Sequence, residues 1–234
     1  MGEMETPVGS IQSFFQNERS KSVLGIILTF SIIHFIEAPS IVLLILLPLW
    51  FLLFRPWNRT DMLVFLIASV FFLGQNYAVL STGGFSFKHK DILLMPYYEP
   101  FLWGFYFLFL KRFIAEPSSP LKLRGKAVAG LILTALCFSI FSKNSSILLG
   151  ATLVSTAILF VLFHEKYDLY YALAALLLGF MIEVFGVSTE LWAYPDPDFL
   201  GIPYWFATMW ISVGLLGRRF LIPLAELLKE KLTS

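Results

Sequence analysis

Charge is scarce in this chain: only 14% of its 234 residues are Asp, Glu, Lys or Arg, while 58% are hydrophobic. Soluble chains carry about 25% charged residues, so a water-soluble domain is a poor fit. A formal net charge of +1 gives nucleic acid no electrostatic footprint to follow. Cysteine occurs once, as Cys137 in an apolar block. It cannot close an internal disulfide and reads as a small packing residue. The three histidines, His34, His89 and His164, are scattered and form no H-x-x-H, H-x-x-x-H or E-x-x-H pair, so no metal is expected. No G-x-S-x-G, Walker loop or dinucleotide fingerprint is present either, and no cofactor is expected. What remains is proton chemistry by carboxylates, passive binding, or transport.

The N-terminus lacks the basic start and small-residue cleavage site of a signal peptide. Its opening M-G-x-x-x-T fits a myristoylation pattern loosely.

Long apolar blocks are what the chain does have. A bilayer core asks for roughly 20 residues per helix, and eight spans can be read at about 21–36, 39–54, 61–80, 96–114, 124–142, 146–163, 168–187 and 202–222. The first two form a tight hairpin around "IEAPS", where Pro39 suits the start of a helix better than its interior. With eight spans, 14 of the 17 Lys and Arg fall on one side and only Lys88, Lys90 and Lys143 on the other. The positive-inside rule then puts both termini in the cytoplasm, in the cytoplasmic or plasma membrane. The sequons at Asn58 and Asn144 lie in very short loops and read as chance.

Sliding the chain against itself by 107 residues lays 81–113 over 188–220 without a gap, with ten of 33 positions identical, including Asp91/Asp198, Pro96/Pro203, Trp103/Trp210 and Arg112/Arg219. The expected fold is therefore an all-α polytopic membrane bundle of two parallel four-helix repeats. Its parts are a cytoplasmic segment 1–20, a first repeat 21–114, a basic linker 115–123, a second repeat 124–222 and a tail 223–234.

In this topology His34, Glu37, Gln75, Asn76, Glu99 and Glu183 all fall in the outer half of the membrane. Glu183 lies 15 residues past Asp168, about 22 Å up the helix. Gly179, Gly186 and Glu190 share its face, and the glycines would let a neighbouring helix or a flat ligand approach the carboxylate. Intramembrane ionisable groups default to a functional reading. The structural alternative is a Glu183 hydrogen-bonded to a neighbour such as Asn76. Glu99, set between Pro96 and Pro100, is either a second site carboxylate or an interfacial cap. Tyr97, Tyr98, Trp192, Tyr194, Tyr204 and Trp205 fit an interfacial aromatic girdle. Trp103 and Trp210 lie deeper, at matched positions, where their π faces could shelter a cation.

The paired segments "FSFKHKDILLMPYYEPFLW" and "LWAYPDPDFLGIPYW" resemble the integral-membrane lycopene cyclase domain and related membrane carotenoid hydratases. The family's acidic pair after proline is reduced to Glu99 in the first half and absent from the second, where Tyr204 and Trp205 follow Pro203. The resemblance implies an enzyme on an apolar isoprenoid or carotenoid-like substrate. Glu183, Glu99 and Glu190 would be its acid groups, protonating an alkene towards cyclisation or hydration. Asn76, Gln75, Trp103, Trp210, Tyr97, Tyr204, Trp192 and Tyr194 would line the substrate site. Two other readings stand beside it. One is a proton-coupled transporter or lipid-handling protein with Glu183 as the proton site. The other is a non-catalytic subunit whose outer polar cluster docks a partner.

Overall fold

The computed structural model describes residues 17–117 and 122–233. The myristoylation pattern and part of the basic linker lie outside the described residues.

The chain folds as an all-α bundle. Its helices are α1 (Glu18–Phe35), α2 (Pro39–Leu53), α3 (Arg59–Ser81), α4 (Glu99–Ile114), α5 (Gly125–Phe141), α6 (Ser145–Leu162), α7 (Lys166–Ser188), α8 (Trp205–Leu216) and α9 (Ile222–Thr233). Two-residue strands β1 (Ser86–Phe87) and β2 (Trp192–Ala193) join the halves. Helices α3, α6 and α7 are long and apolar enough to cross a membrane, and α2 and α5 are shorter apolar helices.

Local chemistry sets the boundaries. Pro39 occupies the first turn of α2, where its missing N–H costs nothing. The two sequon asparagines are N-caps: Asn58 closes a capping box with Asp61 at α3, and Asn144 accepts from the Ile147 N–H at α6. The end of α8 differs from expectation. After Leu216 the helix widens into a π-helical turn, Gly217–Leu221, and continues as α9 to Thr233. The segment from residue 223, expected as a tail, is therefore helical and docked. Helix α9 packs along α3, and Thr60 donates to Glu226 across that contact at 2.9 Å.

The duplication runs deeper than the sequence match. Asp61 is buried against Lys111 and Arg112, and Asp168 against Arg218 and Arg219; all three positions correspond at the 107-residue offset. The capping boxes Asn58/Asp61 and Glu165/Asp168 correspond as well. In the strand pair, Ser86 faces its own counterpart, Ala193. The contact of Phe87 with Trp192 (5.7 Å) is repeated as Tyr194 with Phe85 (5.8 Å). Contacts that return when counterparts are exchanged define a local two-fold relation between the halves.

The first two helices of each half correspond at an offset of 105. Thr29 bonds the Gly25 carbonyl (2.7 Å) and Thr134 the Gly130 carbonyl (3.0 Å). Thr29 accepts from Trp50 Nε1, and Thr134 meets the Trp50 counterpart, Ser155. Glycines bring the closest helices together. A Cβ on Gly104 of α4 would lie 2.6 Å from the Phe65 carbonyl of α3, and one on Gly214 of α8 would lie 2.3 Å from the Tyr171 carbonyl of α7.

Candidate functional site

Trp103 and Trp210, counterparts in α4 and α8, stack where the two halves meet, with ring centroids 5.2 Å apart and planes 17° apart. Beside them is a cavity of about 140 Å³ between α3, α5 and α8. Its walls are overwhelmingly apolar, with Phe72, Ala135 and Val213 among them. Glu99, Glu183, Asn76 and Gln75 are among its polar residues.

Glu183 sits where two glycines of α7 make room for indoles. The Trp210 ring occupies the space of a Cβ on Gly179 (2.2 Å), and the Trp192 ring that of a Cβ on Gly186 (2.0 Å). The carboxylate accepts three bonds: from Trp192 Nε1 (3.0 Å) and Tyr194 OH (2.8 Å) on Oε2, and from Trp210 Nε1 (3.3 Å) on Oε1. The flat groups admitted by Gly179 and Gly186 are thus the protein's own. Asn76, the expected partner of Glu183, belongs to Glu99 instead, donating to its Oε1 at 3.0 Å.

Glu99 opens α4 ahead of Pro100 and is buried. One turn on, the Trp103 indole lies beside that carboxylate. Its buried Nε1–H has no hydrogen-bond partner. Trp210, the counterpart of Trp103, has its N–H satisfied by Glu183. The counterpart of Glu183 is Asn76, already turned to Glu99, so the Trp210–Glu183 bond has no equivalent between Trp103 and Asn76.

Of the residues expected at the site, Glu183, Glu99, Asn76, Gln75, Trp103, Trp210, Trp192 and Tyr194 all line the cavity. Glu190 does not. Helix α7 ends at Ser188, so the seven-residue spacing from Glu183 no longer places Glu190 on the same face; it is exposed in the following turn at φ 57°. Tyr97 and Tyr204 are exposed at the helix-start loops and also lie outside the cavity wall. Residues that sequence reasoning missed are Phe72, which stacks on Trp103 at 4.0 Å, and Ala135. A further miss is the buried Asp61 and Asp168; their shared 107-residue offset was a signal available in the sequence. Among the described residues, no group of three or more His, Cys, Asp or Glu is placed to hold a metal ion.

No family model and no curated protein matches the sequence. Two solved structures share the fold. One is a mycobacterial Insig homolog, MvINS, from Mycobacterium vanbaalenii, with TM-score 0.62 and 17% identity, covering 74% of this chain and 96% of that one. The other is a cross-linked trimer of an MvINS cysteine variant, with TM-score 0.62, 18% identity and the same coverage. This chain is an all-α polytopic membrane bundle, an integral membrane protein in contact with membrane lipids.

These likenesses correct the functional expectation. The structures that share the fold are Insig homologues, not carotenoid cyclases or hydratases, and they lend no support to a transporter. Both oxygens of Glu183 accept hydrogen bonds from the protein's own donors.

Proposed function

We propose that this chain is a membrane-embedded binding protein for one neutral, hydroxyl-bearing lipid, whose head end enters the cavity beside the Trp103–Trp210 stack. The observation that carries the reading is an apolar cavity with Glu99, Asn76 and the Trp103 indole gathered in its wall. An apolar pocket with a few converging polar groups is the ordinary form of a small-molecule site. A hydroxyl answers both neighbours at once, accepting from Trp103 and donating to Glu99. Two carboxyl groups at the same end, Glu99 and Glu183, disfavour an anionic head.

Isoprenoid alcohols are the class proposed among such lipids. The resemblance of 81–113 and 188–220 to the lycopene cyclase domain enters here as a proposed kinship of fold, without its chemistry. The distribution of Lys and Arg supports an orientation with both termini in the cytoplasm and the cavity towards the outer leaflet.

The test uses purified full-length protein in detergent with all-trans-retinol, followed by energy transfer from tryptophan. Retinol is expected to bind at one equivalent. Trp103→Phe should weaken it roughly 5-fold, the worth of a net hydrogen bond near 1 kcal/mol. Retinoic acid, with the same tail and a charged head, should bind on the order of 100-fold more weakly, given the ~3 kcal/mol cost of a charge in the membrane interior. Equal binding of the two compounds, or indifference to Trp103→Phe, would overturn the reading.

A further inference from the structure

The cavity is too small for the whole of a long-chain lipid. At about 140 Å³ it matches a space that takes roughly one benzene ring. The head and first few carbons of an isoprenoid alcohol can enter, and the tail has to leave. Most ways out are shut. The outer end is roofed by the strand segments, through the Phe87–Trp192 and Phe85–Tyr194 contacts at 5.7 and 5.8 Å. Deeper in the wall stand Tyr106 and Leu216, both buried. On the side of α4 and α7, every residue that lines the cavity is buried as well, Glu99, Trp103, Ile182 and Glu183 included.

The seam between α3 and α5 is different. All the lining residues these two helices supply are half-buried, among them Phe71, Gln75 and Val79 on α3 and Leu131, Ala135 and Phe138 on α5. No aromatic pair crosses the seam among the described residues: the ring of Phe71 contacts Phe72 of its own helix, and that of Phe138 contacts Trp205. On the opposite flank the equivalent seam, between α7 and α1, is bridged by Phe30 and Phe185, stacked with centroids 4.6 Å apart. The counterpart of Phe30 at the 105-residue offset is Ala135, in the wall of the cavity. A methyl group thus stands on one seam where a phenyl ring helps to close the other. Next to the lining positions, Val70 of α3 and Ile132 and Leu136 of α5 are exposed. In a bilayer-spanning bundle such apolar side chains face acyl chains, so the seam opens on lipid and not on water.

We propose that the seam between α3 and α5 is a lateral portal. The lipid enters head first from the bilayer, its tail stays between the two helices and among the acyl chains, and Ala135 is the threshold that keeps the passage open. This rests on the cavity being a lipid site, and it adds what that site selects. Recognition is confined to the hydroxyl end, tail length is not read, and the ligand is a long-chain alcohol delivered from the membrane. An open seam is tolerated there because lipid tails are as apolar as the side chains that line it.

Two measurements test the portal. In the first, protein in nanodiscs with retinol bound is titrated with geranylgeraniol and with solanesol, whose tail is more than twice as long. The two should displace retinol equally. Ala135→Phe should weaken retinol binding about 10-fold, the scale of an overpacking clash, while Ile132→Phe, at an exposed position of the same helix, should leave it unchanged. Solanesol failing where geranylgeraniol succeeds, or Ala135→Phe binding as the wild type does, overturns the portal and leaves the cavity reading intact. If no alcohol binds to any of the proteins, the cavity reading falls and the second measurement alone decides the portal. A benzophenone side chain is placed at position 135, and separately at position 30, and irradiated in lipid nanodiscs. Mass spectrometry should find phospholipid adducts from position 135 and adducts within the chain from position 30. Adducts only within the chain at position 135, or adducts to a second copy seated over the seam, refute the proposal.

Discussion

Asp168 and Arg219 meet in a two-pronged ion pair, with Nε and Nη2 each donating to a different carboxylate oxygen at 2.6 Å. Arg218 joins Asp168 from the adjacent position in the π-helical turn, and Asp168 itself is fully buried. Removing one partner from a buried group of charges leaves the others uncompensated, a loss of about 3–5 kcal/mol. Asp168→Asn should therefore lower the thermal midpoint in detergent steeply. The corresponding Asp61→Asn should cost less, because Lys111, one of its two cations, is 25% exposed and can turn to solvent. Equal losses at the two positions would show that exposure of the cation does not matter here.

Gly179 offers a test of how Glu183 is held. A Cβ at this position would lie 2.2 Å from the Trp210 ring, an overlap that something must relieve. Gly179→Ala should destabilise the protein by roughly 1–3 kcal/mol, the usual cost of overpacking. By moving Trp210 it should also break the 3.3 Å bond from Nε1 to Glu183. Unfolding by heat reads the first effect, and a shift in tryptophan emission reads the second. Gly150, which meets nothing within 4 Å, should accept alanine with neither change.

Acid stability should report the N-terminal cap of α7. Glu165 lies outside the spanning helices, and the hydrogen bond from Arg219 holds its carboxyl below the ordinary glutamate range, with Arg218 helping. A carboxyl depressed in the folded state adds stability that is fully present above its unfolded value. That stability disappears as pH falls through the lower, folded value. The Glu165→Gln variant should consequently lose less stability than the wild type between neutral pH and the acid side of the glutamate range. The difference should be small, since the side chain is 59% exposed and solvent screens the pair. Parallel pH profiles for the two proteins would refute the assignment.

Much of the bundle is legible in the sequence because it is written in length and periodicity. Apolar runs, Pro39 and the basic loops mark the helices, and the 107-residue repeat pairs Trp103 with Trp210 without any knowledge of contacts. Glu183, Glu99 and Asn76 can be gathered at one level for the same reason, since depth in a helix is a count of residues. Which groups bond each other is not legible. Asn76 turns to Glu99 rather than Glu183 because Trp192 and Tyr194 arrive on a loop whose two-residue strand pairing no helical period encodes. Glu190 is misplaced on similar grounds, as a helical face extended two residues past Ser188 runs beyond the end of α7. The stacking of Phe30 on Phe185 is likewise invisible until α1 is brought against α7.

The turn that displaces Glu190 carries its own prediction. Helices α3 and α7 end in the same hydrogen-bonded motif. Gly84 N–H bonds the Val79 carbonyl and Gly83 N–H the Leu80 carbonyl, both at 3.1 Å. In the second half, Leu191 N–H bonds the Gly186 carbonyl at 2.8 Å and Glu190 N–H the Val187 carbonyl at 3.1 Å. The motif requires a left-handed residue after the helix, which is Gly83 at φ 78° in one half and Glu190 at φ 57° in the other. An L side chain in that conformation costs roughly 1–2 kcal/mol, against about 0.5–1 kcal/mol of extra chain entropy that glycine loses on folding. Glu190→Gly should therefore raise stability by about 0.5–1 kcal/mol, and Gly83→Glu should lower it by a similar amount. Because Glu190 lies outside the cavity wall, retinol binding should be unchanged in Glu190→Gly. A thermal shift of the opposite sign would deny the left-handed turn, and a loss of retinol binding would return Glu190 to the site from which the fold removes it.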